Sequence, residues 1–244
     1  MTHETYARLV TGADSAVLFI HGILGTPNHF SAFVPLVPKN MSVVNLLLDG
    51  HGAGVGEFSR TSMKKWETQV ASAVDSLLAT HKKLYIAAHS LGTLLAIGVA
   101  VKKPVAGLFL LAVPIRLRLR LRAFATCLKI WRGRVRDTDV YTLAVQNCCG
   151  IRQSKNLLLY TGWLPRFWEL LVKIRRTQRL LPQLTSPGIA YQSAEDELVS
   201  TASIPYLSTR SSLQVTCLEN STHYYYEPKD LAFLQQEFLQ FIHK

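Results

Sequence analysis

Short, unbroken apolar runs recur along the chain, and segments with the 3.6-residue period of a helix separate them. The runs are Ala16–Ile20, Ser42–Leu48, Leu84–Ala88, Ala106–Ala112, Gly188–Gln192 and Leu213–Leu218. A run without polar alternation fits a strand covered on both faces, which is the environment of a parallel sheet. Between the first two runs, PNHFSAFVPLV places Phe30, Phe33, Val34 and Val37 on one helical face. Ser62 suits the cap of a helix carrying Trp66, Val70, Ala73, Val74, Leu77 and Leu78 at helical spacing. Further helices are expected over Leu91–Val101, Ser200–Thr209 and Pro228–Ile242. This alternation predicts an α/β fold, a mostly parallel sheet with helices on both faces. In such sheets ligands bind at the carboxyl ends of the strands, so the turns after the strands are where chemistry is expected.

The rhythm breaks between 114 and 185. This stretch holds three of the four tryptophans, and 15 Lys/Arg against 3 Asp/Glu. The rest of the chain holds 12 and 13, so the whole net charge of +11 traces to this segment. The expected organisation is therefore a core of residues 1–113 and 186–244 interrupted by a basic, aromatic insertion at 114–185. With 244 residues and 48% hydrophobic content, one domain with an insertion fits better than two domains. No nucleic-acid motif accompanies the charge. A basic insert on a neutral body points to anionic lipid or to an anionic substrate group. Arg116, Arg118, Arg120 and Arg122 alternate with leucines, which reads as a strand with a basic face or as the start of a helix. A solvated face that only aids solubility remains open beside the lipid reading.

The third run leads into Ala88-His89-Ser90-Leu91-Gly92 and then directly into a helix-forming stretch. A serine on a sharp strand-to-helix turn exposes its hydroxyl, and the helix N-terminus behind it favours developing negative charge. The motif departs from G-x-S-x-G in having Ala88 in place of the first glycine, which adds only a methyl. After the first run comes His21-Gly22-Ile23-Leu24-Gly25, a turn able to aim backbone N–H groups into the site. With the amide of Leu91, that of Ile23 would form the pair of donors an acyl-transfer oxyanion requires. His21 is expected to brace its loop, and Asp49-Gly50-His51-Gly52 to form a structural turn. After the GIAYQ run three acids compete, Glu195, Asp196 and Glu197. Asp196 is favoured because a short side chain on a tight loop fixes a histidine with little freedom, while its neighbours are read as solvated. Only His223 and His243 follow Ser90, and His243 is the penultimate residue. His223 is thus the candidate base, with Asp196 orienting it.

Taken together, HGILG, DGHG, AHSLG, the D-E-L-V of 196–199 and the S-T-H of 221–223 resemble the α/β-hydrolase superfamily. The nearest likeness is to small carboxylesterases and monoacylglycerol lipases. The resemblance covers 15–113 and 186–243 and implies nucleophile Ser90, acid Asp196, base His223 and oxyanion amides at Ile23 and Leu91. It also implies that 114–185 is a cap. Thr222 stands where the family often has glycine before the histidine. Within the insert, Tyr160, Trp163 and Trp168 are candidates for lining an apolar acyl pocket or for forming the insert's own core.

The expected function is hydrolysis of a medium- to long-chain carboxylic ester, such as a monoacylglycerol, through an acyl-enzyme. A thioesterase, amidase or acyltransferase would use the same groups, and a non-catalytic ligand-binding protein on this fold is a further alternative. The chemistry needs no metal or organic cofactor, and no cluster of ligand residues implies one. The four cysteines match no zinc spacing and read as reduced thiols. The N-terminus lacks a basic start with an apolar run, and Val105–Ile115 falls short of the roughly 20 residues that span a bilayer. A cytoplasmic protein is expected, with peripheral contact to an anionic membrane through the basic insert left open. The sequence gives no oligomeric state.

Overall fold

The computed structural model describes residues 3–243. Among these, seven strands form one sheet: β1 (Tyr6–Arg8), β2 (Ser15–Ile20), β3 (Ser42–Leu46), β4 (Lys83–His89), β5 (Gly107–Leu111), β6 (Gly188–Ser193) and β7 (Gln214–Leu218). Their order is β1-β3-β2-β4-β5-β6-β7. Only β1 runs antiparallel, pairing β3 at the edge. The helices are α1 (Val55–Arg60), α2 (Met63–Leu78), α3 (Leu91–Ala100), α4 (Leu121–Trp131), α5 (Val140–Cys148), α6 (Leu164–Leu180), α7 (Ser203–Arg210) and α8 (Pro228–Ile242).

The strand runs are unbroken because each side of the sheet has its own core. Leu18, Ile20, Ile86, Ala88 and Leu110 point into one core, with α2, α3, α6 and α7. The intervening Val17, Phe19, Tyr85, Ala87 and Phe109 point into the other, with Phe30, Phe33 and α8. Period-two alternation is present, but both phases are apolar.

The helix expected within 27–37 is absent. Two 3-10 turns, Pro27–Phe30 and Val34–Leu36, stand in its place. Pro35 has no N–H to donate and its ring clashes with the carbonyl four residues back, so a continuous helix cannot pass. The burial of Phe30, Phe33 and Val37 is nonetheless as the spacing requires.

The stretch 114–185 divides in two. Its earlier part crosses the turns after the strands: Gly150 N donates to Leu24 O, Arg152 N to Ala53 O, and Arg118 N to Leu198 O. Its last helix, α6, lies along the body, with Leu170 and Ile174 in the main core. Lys173 on that helix pairs with Glu67 of α2 at 2.7 Å.

The sheet order reverses between β2 and β4, since β2 is followed outward by β3 and β4 by β5. The turns leaving these two strands carry the HGILG and HSLG motifs.

Candidate active site

Ser90 is the single residue between β4 and α3, at φ 51° and ψ −122°. A non-glycine residue in this region costs about 1–3 kcal/mol and persists only where its surroundings fix it. Here Ser90 N donates to Leu111 O at 2.9 Å. Ser90 O accepts from Thr93 N at 2.9 Å and from Thr93 Oγ1 at 2.7 Å. The two flanking glycines are required by contact. A Cβ on Gly92 would stand 2.7 Å from His21 O and closer still to Ile20 O. One on Gly22 would stand 2.8 Å from Ser90 Cβ, so the HGILG turn lies directly against the serine.

The candidate base and acid meet in a buried pair. His223 Nδ1 lies 2.8 Å from Asp196 Oδ2, with His223 1% and Asp196 0% exposed. The other carboxylate oxygen of Asp196 accepts from Leu198 N and Val199 N, both at 2.7 Å. These two amides hold the carboxylate edge-on, leaving Oδ2 for the Nδ1–H of His223 and placing Nε2 as the ring's free acceptor. Burial would lower the pKa of His223. The charge and hydrogen bond of Asp196, with the charge of Glu197, outweigh it, and the pKa is raised above the usual histidine value. His89 ties this base to the serine turn, donating from Nε2 to His223 O at 2.9 Å with the two rings 4.6 Å apart.

Two parts of this arrangement were not legible in the sequence. Glu197 is buried rather than solvated, and its Oε2 accepts from His223 N at 3.3 Å while facing Arg122 at 3.6 Å. Glu195 by contrast is exposed and paired with Arg120. The arginine run explains both. Residues 116–120 extend along the acid loop, with Arg118 N and Arg120 N donating to Leu198 O and Glu197 O. The Arg118 guanidinium donates to Ala194 O at 3.0 Å and Asp196 O at 2.8 Å, and that of Arg122 donates to Glu195 O at 2.8 Å. The arginine face thus turns inward onto the acid loop. The other missed residue is His89, which no spacing rule separates from any residue preceding a turn serine.

His21 and His51 brace the turns, as expected. His21 Nε2 accepts from Leu48 N at 3.0 Å and Nδ1 donates to Gly22 O at 2.8 Å. His51 Nε2 accepts from Leu24 N at 3.1 Å, and its Nδ1 faces Leu48 O at 3.2 Å. Burial lowers His51 to about 4 and His21 well below the usual value, so both are neutral stitches between the turns after β2 and β3. Asp49 is structural too, its carboxylate accepting from Thr61 at 2.7 Å and its carbonyl from Trp66 Nε1 at 2.8 Å.

The amides of Ile23 and Leu91 flank Ser90, one following Gly22 and the other opening α3. Neither donates to an oxygen of the protein among the described residues. The aromatic candidates separate. Tyr160 and Trp163 pack against the main core, with Trp163 5.1 Å from the Phe58 ring and its Nε1 donating to Val55 O. Trp168 is 63% exposed, on the side of α6 turned away from the body, and is not brought to the serine. Ser90 itself is 7% exposed.

Residues 17–234 match the profile of the alpha/beta hydrolase family, and the chain belongs to that family. No protein of curated function matches the chain in sequence. Solved structures share the fold at low identity. A metagenome-derived lipolytic enzyme, from work on LipS and LipT, superposes with a TM-score of 0.74 at 17% identity, covering 99% of this chain and 98% of that one. The monoacylglycerol lipase of Paleococcus ferrophilus gives 0.70 at 15% identity, covering 98% of each chain. A soluble variant of monoglyceride lipase from Saccharomyces cerevisiae gives 0.69 at 14%, covering 98% of this chain and 90% of that one.

Proposed function

We propose that the protein is a serine hydrolase of carboxylic esters, acting through an acyl-enzyme on Ser90. The observation that carries this reading is the convergence on one sheet end of a strained Ser90 turn and a buried His223–Asp196 pair at 2.8 Å. His223 Nε2 takes the Ser90 hydroxyl proton as Oγ attacks the ester carbonyl. The carbonyl π electrons move onto oxygen, where the amides of Ile23 and Leu91 receive the negative charge. Collapse expels the alcohol, which takes the proton from His223. Water then repeats the sequence, with His223 as base, to free the acid and restore Ser90. Asp196 holds the imidazole tautomer and stabilises the imidazolium that forms twice in each cycle.

Lipase and esterase neighbours, together with the apolar residues of 114–185, favour a medium- to long-chain acyl group, with a monoacylglycerol as the representative substrate. In this reading the insertion 114–185 acts as a cap, its part before α6 covering the site. The test is a p-nitrophenyl ester series from acetate to palmitate, with matched esters, thioesters and amides of one acyl group. The account expects kcat/KM to rise into the medium or long chains and the ester to be preferred. A steady fall from acetate onward sinks the chain-length claim. A preferred thioester or amide moves the protein to that class with the same residues.

A further inference from the structure

Arg118, Arg120 and Arg122 face the acid loop and Arg116 lies over the Tyr206 ring, while the leucines between them face outward. Leu117 and Leu119 are exposed, and Leu121 is 86% exposed. The stripe continues on α4, whose Phe124, Leu128 and Trp131 follow Leu121 at i+3, i+7 and i+10 and are all exposed. The opposite face of α4, with Ala123, Thr126 and Ile130, is the partly covered one. Fifteen of the eighteen exposed large hydrophobic residues described lie between 117 and 171, and six of them fall on the stripe from Leu117 to Trp131. Residues 116–136 contain eight Lys/Arg and no Asp/Glu; Arg120, Arg122 and Lys129 are paired with Glu195, Glu197 and Asp139, and the remainder leave an excess of positive charge beside the strip. The guanidinium groups of Arg132, Arg134 and Arg136, just past the end of α4, are exposed and form no ion pair among the described residues.

We propose that this stripe, from Leu117 to Trp131, is a docking face for an anionic lipid bilayer, with the leucines and aromatics entering the acyl boundary and Arg132, Arg134 and Arg136 meeting the headgroups. A half-extended, half-helical apolar strip beside unpaired cations has the layout of an interfacial element, and apolar insertion and headgroup attraction add. Duplex nucleic acid would use the cations but gains nothing from the four exposed leucines of the strip, which sets the choice between anionic partners. The strip is joined to the Asp196 loop through Arg118 and Arg120, so docking brings the candidate site to the surface where acyl lipids reside.

The test is co-sedimentation of full-length Ser90→Ala protein with vesicles of phosphatidylcholine alone and of equimolar phosphatidylcholine and phosphatidylserine. Ser90→Ala separates docking from chemistry, so a failure of binding and a failure of ester hydrolysis are read independently. The mixed vesicles are expected to sediment the protein, with binding falling as salt rises, and the neutral ones to retain little. L121S/F124S is expected to weaken binding at least tenfold. R132E/R134E is expected to weaken it tenfold or more and to abolish the preference for phosphatidylserine. Both pairs are exposed, and an unchanged circular dichroism melt shows the fold intact. Equal binding to both vesicle types overturns the proposal, as does indifference to both variants. So does binding to duplex DNA that L121S/F124S leaves unchanged while vesicles are ignored, or a dimer in solution that L121S/F124S dissolves.

Discussion

Gly92 and Gly98 lie on one helix, and alanine should act on them in opposite directions. By propensity alone either substitution favours α3 by up to about 1 kcal/mol, since glycine is the poorer helix former. At Gly98 the nearest atom to a new Cβ is the tip of a flexible side chain, Lys173 Nζ at 2.9 Å. Lys173 is buried and paired with Glu67, but its ammonium ends a flexible four-carbon stem and can give by a few tenths of an ångström without losing that pair. Gly98→Ala should therefore be neutral or slightly stabilising, with activity unchanged. At Gly92 the obstructing atoms are backbone: Ile20 O, His21 O at 2.7 Å and Ile20 C at 2.8 Å. Ile20 ends β2, paired on both sides, and His21 follows it directly, so these atoms cannot yield. The start of α3 must back away by roughly an ångström, at an overpacking cost of about 1–3 kcal/mol or more. Set against the propensity gain, the net loss is about 1–2 kcal/mol, a fall in Tm of about 2–8 °C for a chain of this size. The displaced turn carries Ser90 and the Leu91 amide, and a misplacement of that order costs about 10²-fold in rate. Thermal unfolding and kcat/KM on one p-nitrophenyl ester, for both variants, read these quantities. A Gly92→Ala protein as stable and as active as the wild type would refute the close packing of the serine turn on β2.

Three further outcomes follow from the same geometry. Asp196→Asn keeps an oxygen for the Leu198 and Val199 amides but turns an NH₂ toward His223 Nδ1, forcing the proton onto Nε2; kcat should fall by about 10³–10⁴ with the fold intact by circular dichroism. The base must be neutral, so activity falls as pH drops through the raised pKa of His223. Glu197→Gln keeps an acceptor for His223 N but removes a charge that raises that pKa, so the acid limb of kcat/KM should move to lower pH, and an unmoved limb would count against the contact. Burial pushes the Cys148 thiol up to about 12, so a thiol reagent at mildly alkaline pH should leave it unmodified until the protein is denatured, as peptide mapping can show.

The central strands were readable because both faces of each are buried, which leaves apolar runs unbroken. β1 was not, since Tyr6–Arg8 is a three-residue edge strand with its side chains largely exposed. Ser90 and His223 stood out as candidates because the turns after parallel strands are few and theirs each carry one suitable residue, whereas Asp196 was preferred among three adjacent acids only by its short side chain. Glu197 could not, since three adjacent acids look alike until partners from another part of the chain select among them: Arg120 draws Glu195 outward, while His223 N and Arg122 hold Glu197 in. The arginine alternation was visible, but its direction was not. A basic face normally turns to water; here the acid loop, some 75 residues further along the chain, turns it inward and leaves the leucines outside. The length of α6 and its polar composition likewise hid a helix that lies against the body, with Leu170 and Ile174 in the core and Lys173, Glu169 and Gln178 bonded to neighbouring elements.

The most direct measurement is active-site labelling with a fluorophosphonate, followed by peptide mass mapping, on the wild type and on Ser90→Ala. The account expects a single adduct on the peptide carrying Ser90 in the wild type and none in the variant. An adduct that survives Ser90→Ala, or a folded wild type that the reagent leaves untouched, would contradict the claim that Ser90 is the nucleophile.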